Sequence, residues 1–71
     1  MFMKEVRVVD TVKVVRETDE QRFEEKVLEV VEDLQNISNL EVEIQYDTVV
    51  TNQSSVLYIA YITGYYKTII V

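Results

Sequence analysis

The chain has no cysteine, no histidine, no proline and no tryptophan, and Gly64 is the only glycine among its 71 residues. Each absence removes a kind of chemistry. Without histidine or cysteine there is no imidazole base, thiol nucleophile, disulfide, redox pair or zinc site of the usual kind. One glycine leaves no loop to cradle a phosphate. Carboxylates remain, and Glu41 and Glu43 share a strand face, but nothing in the pattern builds the pocket that would raise one pKa for general-acid work. Asp10 interrupts an otherwise apolar row and has no second titratable group with a matching role. The expectation is a non-enzymatic protein with no cofactor and no metal.

A single domain of 71 residues buries only about 60% of the surface its unfolded chain exposes, so its own core is marginal. Small folds compensate with disulfides, metals or oligomerisation, and here only oligomerisation is open. The absence of cysteine fits a reducing compartment, and no charged-then-apolar leader precedes Val6. A cytoplasmic location is therefore expected. The apolar run of residues 56–71 is shorter than the ~20 residues of a spanning helix and is broken by Thr63, Gly64 and Lys67, which argues against a membrane segment.

Most of the net charge of −6 lies on one stretch: residues 19–35 hold Asp19, Glu20, Glu24, Glu25, Glu29, Glu32 and Asp33 against Arg22 and Lys26. Nucleic-acid binding requires clustered cations that release counterions from phosphates. An acidic segment repels that backbone and anionic membrane surfaces alike, so neither partner is expected.

The same stretch predicts a helix over residues 19–35, with Phe23, Val27, Val30, Val31 and Leu34 on one apolar stripe. Thr18 stands at the N-cap position with Gln21 completing a capping box, and Asn36 suits a left-handed stop. Leu28 falls at the edge of the stripe. Glu25, Glu29 and Asp33 recur at four-residue spacing and form a like-charge row on the exposed face. The row reads as a docking surface for a basic partner or as an ordinary solvated face. A straight row converges poorly on a cation, because hard-metal sites draw oxygens from several directions.

Strict alternation over residues 4–17 predicts a first strand with Val6, Val8, Val12 and Val14 on one side and Glu5, Arg7, Thr11, Lys13 and Glu17 on the other. Its length predicts a bulge near Val9, Asp10 and Thr11, with one half free to pair outside the protomer. Residues 40–50 predict a second strand, with Leu40, Val42, Ile44 and Tyr46 inward. The loop at residues 51–55 makes this strand and the next a hairpin. The third strand is apolar on both sides, with Val56, Tyr58, Ala60 and Ile62 toward the helix and Leu57, Ile59, Tyr61 and Tyr65 away from it. A two-sided apolar strand belongs in the middle of a sheet. The predicted fold is α+β, in the order β-α-β-β, with a three-stranded antiparallel sheet of order 1-3-2 and one helix on one face. Gly64 reads as a kink that ends the regular strand, leaving residues 65–71 to reach a neighbour.

The alternation sets Arg7 and Lys13 on the same side as Leu57, Ile59, Tyr61 and Tyr65. This open face has three possible occupants: a second copy of the chain, a different protein, or a nucleotide-like ligand stacked on tyrosine and neutralised by the two cations.

The strand, the acidic helix, the strand ending Ile44-Gln45-Tyr46 and the strand Tyr58-Ile59-Ala60-Tyr61-Ile62 together resemble a family of short sporulation-associated proteins from spore-forming bacteria and their phages. The likeness spans most of residues 4–66. It implies a bacterial or phage origin and the fold above, and no activity, since that family has none assigned. The topology is also similar to the dodecins, strand-helix-strand-strand proteins that assemble into hollow shells and stack flavins between aromatic residues. Thr18 to Phe23 resembles their helix start, but without tryptophan the flavin site is not carried over. The expected function is a homo-oligomeric binding protein. The alternatives are a phage-type protein that sequesters a nucleotide-like ligand and an acidic inhibitor of a host protein.

Overall fold

The two-sided apolar strand is the central one. In the computed structural model, which describes residues 3–71, β1 (Lys4–Glu17), α1 (Glu20–Glu32), β2 (Glu41–Val50) and β3 (Val56–Ile70) follow in chain order. The strands form an antiparallel sheet of order β1-β3-β2. The helix covers one face. Under it lie the buried side chains of Val15, Phe23, Val27, Leu34, Ala60 and Ile62, flanked by Val30, Val31, Leu40, Val42, Ile44 and Tyr58. No helix is long and apolar enough to cross a membrane among the described residues.

The helix begins one residue later than the sequence predicts. Asp19, not Thr18, is the N-cap, and its Oδ1 accepts from the Arg22 N–H at 3.0 Å. A carboxylate there also meets the positive end of the helix dipole. Asp19→Ala should therefore cost about 0.5–2 kcal/mol in urea unfolding, while Thr18→Ala should leave the midpoint almost unchanged. The C-terminus is also wider than an ordinary stop: a π-helical turn, Asp33–Ile37, follows α1, and Ser38 N–H donates to the Asp33 carbonyl at 3.2 Å. The left-handed residue is Asn39 (φ 54°), not Asn36. This wide turn buries Leu34 and sends Leu40 back under the helix.

The bulge falls where the alternation breaks. Val9 pairs with Tyr65 and Thr11 with Gly64, so Asp10 is the extra residue. Its effect on the faces is larger than the sequence suggests. Below the bulge Val6 and Val8 lie on the helix side, but above it Val12 and Val14 lie on the open side and Thr11, Lys13, Val15 and Glu17 take the helix side. Val15, at 7% exposure, supplies the buried β1 residue, whereas Val14 is 46% exposed.

Gly64 does not end β3. The strand runs on to Ile70, and Gly64 passes beneath the helix end, where a Cβ would lie 2.9 Å from Leu40 Cδ1 and 3.2 Å from Thr11 Cγ2. The absence of a side chain admits Leu40. Beyond it, residues 65–70 pair with residues 4–9 of the same chain, and β2 has already ended at the Glu41–Tyr65 pair. The result is a two-stranded arm past the body, and it gives the molecule a long axis of 58 Å and a radius of gyration of 15.7 Å, against about 11 Å for a compact chain of this length.

Candidate functional site

Three rows of side chains form the open face. In the central row Leu57, Ile59, Tyr61, Thr63 and Tyr65 follow each other along β3. Tyr61 stands between Val14 of β1 and Gln45 of β2, Ile59 between Arg16 and Asp47, and Thr63 between Val12 and Glu43. The middle of the face is apolar: Val12 (56% exposed), Val14 and Tyr61 (39%) lie along it, followed by Ile59, which is only 7% exposed between its ladder partners Arg16 and Asp47. Among the described residues no second layer covers them.

Its two edges differ in charge. The β2 row carries Glu41, Glu43 and Asp47 on this side, while the β1 row carries Arg7 and Arg16, with Glu5 at the arm's far end. Arg7 is held twice within the chain. Its guanidinium lies 4.5 Å from the Tyr65 ring centroid, and its Nη1 donates to Glu43 Oε2. Both partners of that ion pair are solvent-exposed, so it contributes at most about 1 kcal/mol. A similar amount is expected from an exposed cation over a ring.

Arg7, Leu57, Ile59, Tyr61 and Tyr65 thus share a face as the sequence predicts. Lys13 does not. It pairs with Ile62 on the helix side, because the extra residue at Asp10 reverses the alternation above the bulge. The same reversal brings Val12 and Val14 onto the open face. Asp10 itself, a charge in the apolar phase of the strand, was the available signal for that reversal.

The helix side holds a second apolar surface. α1 lies over β1 and β3, so the inner side of β2 is only partly roofed, and Tyr46 is 65% exposed although its register points it inward. A groove of about 270 Å³ runs between helix and strand, floored by Phe23, Val27 and Ile44 and rimmed by Glu24, Leu28 and Tyr46. Phe23 meets Tyr46 edge-on, with centroids 6.2 Å apart, and Tyr58 at 5.6 Å. Leu28, on the rim, is 58% exposed.

The acidic row Glu25, Glu29 and Asp33 is solvent-exposed, and Gln21 donates to Glu25 Oε1 at 3.4 Å. Elsewhere on the helix Lys26 Nζ reaches Glu17 Oε2 at 2.6 Å, tying α1 to the end of β1. The hydrogen bond from Lys26 holds the Glu17 carboxyl below its ordinary 4.5. A lowered value favours the folded state above the unfolded pKa, and that contribution is lost as pH falls through the folded one. Among the described residues no three acidic side chains gather as a metal site, and no charged side chain is buried.

Compared with known proteins, the chain matches no family model, no curated protein and no solved structure.

Proposed function

We propose that the protein is a non-enzymatic, homo-oligomeric binding protein whose open sheet faces pack on one another. The observation that supports this most directly is the exposed apolar patch of Val12, Val14 and Tyr61 on the open face, with Ile59 packed beside it. A half-covered sheet in a chain of this size gains most from a second sheet about 10 Å away. Charge favours a second copy over an unrelated partner. A two-fold axis parallel to the strands sets β1 of one copy over β2 of the other, and the Arg7 and Arg16 row then meets the Glu41, Glu43 and Asp47 row.

Native mass spectrometry tests this reading. The chain should run at a multiple of 8.4 kDa, and Tyr61→Glu, which places a charge at the centre of the face, should at least halve that mass. A folded 8.4 kDa wild-type protein, or an assembly that Tyr61→Glu leaves intact, overturns it.

The same spectrum addresses a second reading, a nucleotide-like anion held at Arg7 and Tyr65, which the stacking of the guanidinium on that ring favours. Here the anion would have to replace Glu43 as the partner of Arg7, and Lys13 lies on the other side of the sheet. Extra mass retained by the wild type and lost on Arg7→Ala would support it.

A further inference from the structure

The arm formed by residues 4–9 and 65–70 raises a physical problem of its own. An isolated two-stranded ribbon is marginally stable in water, and this one projects beyond both β2 and α1. Its helix side carries Val6, Val8, Tyr66 and Ile70 with Lys4 and Thr68. That side is mostly apolar, and Tyr66 and Ile70 are about half exposed, at 47% and 54%. Its opposite side is more mixed, with the Lys67–Glu5 pair at 3.7 Å and Arg7 committed to Glu43. The chain's own helix cannot cover the apolar side, because α1 sits over the body.

We propose that the helix side of this arm packs into the α1–β2 groove of a second copy, and that the arm of the second copy packs reciprocally into the first. Shape supports the pairing. Each molecule is a step, thick where the helix lies on the sheet and thin along the arm, and two steps related by a two-fold axis interlock. The dimensions agree: six residues per arm strand span about 20 Å, and the 13-residue helix is also about 20 Å long. Charge supports it too. On the side that would face the groove the arm carries Lys4 and no acid, while residues 19–35 carry seven acids against two bases. The helix therefore attracts the arm of a neighbour, and Glu24 stands on the groove's rim beside Leu28. This interface lies on the opposite side of the sheet from Tyr61 and does not depend on the open-face pairing.

The test uses the full chain, with mass read by light scattering and folding checked by circular dichroism. Leu28→Lys sets a cation in the groove facing a basic arm, and Tyr66→Glu sets an anion on the arm facing an acidic helix. Both positions are exposed, so both variants should fold. Each should lower the assembly mass at least twofold, while Tyr61→Glu alone should leave a dimer near twice 8.4 kDa. Combining Tyr61→Glu with Leu28→Lys should yield the single chain. Unchanged mass in Leu28→Lys and Tyr66→Glu overturns the arm pairing and leaves the open-face reading standing. A Tyr61→Glu protein that is already monomeric also overturns the arm pairing. A Tyr61→Glu protein at full wild-type mass overturns the open-face reading alone.

Discussion

Phe23→Ala is expected to destabilise the protein by about 3–5 kcal/mol, the range for removing a buried aromatic side chain. A 71-residue domain holds about 4–11 kcal/mol in all, so the variant should sit near the edge of unfolding. The reason is position as well as size. Phe23 is 7% exposed and is the contact through which the first turns of α1 meet both Tyr46 of β2 and Tyr58 of β3. The backbones of both tyrosines are held in the sheet ladder, which limits how far the strands can close on the space. Urea unfolding followed by circular dichroism, at one fixed protein concentration because association adds to apparent stability, measures the loss. A change below about 1 kcal/mol, the size of a typical point mutation, would mean that the helix does not rest on these rings.

The second large effect is expected at Ile62. Its side chain is fully buried at 0% exposure, beneath the helix and beside Ile44 across the β2 ladder. Ile62→Ala should cost about 2–5 kcal/mol, made up of lost transfer free energy and the cavity left behind. Leu28→Ala removes as large a side chain from a site exposed in the single chain and, at a protein concentration low enough to dissociate any assembly, should change stability by no more than about 0.5 kcal/mol. The contrast separates burial from hydrophobicity. A loss at Leu28 that appears only as the protein concentration rises is what the arm pairing requires, since association then adds to the stability of the wild type.

The parts of this fold that were legible in the sequence are those set by one periodicity over many residues. The stripe from Phe23 to Leu34 repeats often enough to fix a helix, and the two apolar sides of residues 56–63 place that strand in the middle of the sheet. What remained hidden depends on single residues meeting across the chain. Thr18 and Asp19 are both good caps, and only the backbone geometry selects Asp19. Gly64 looks like a breaker until Leu40 is brought back over it by a π-helical turn that no periodicity signals. Lys13 was misplaced because alternation cannot be counted through a bulge: one extra residue reverses every face assignment beyond it. For the candidate site, Arg7, Ile59, Tyr61 and Tyr65 share a face as expected, but the valines that complete its centre were assigned to the wrong side. The groove beside Tyr46 was not legible at all, since it arises from where the helix lies across the sheet.

Asp10 decides more than local geometry. A regular β1 would present all of its even-numbered valines on one face, and the molecule would have one adhesive surface and one way to pair. The bulge divides them, sending Val6 and Val8 to one side of the sheet and Val12 and Val14 to the other. If each side makes its own two-fold contact, the two axes cannot coincide, and successive copies are related by rotation about both. Such an assembly closes into a dihedral shell when the two axes intersect at an angle that divides the half-circle evenly, and otherwise continues as a filament. The twist that one inserted residue adds to the arm would then set the number of subunits.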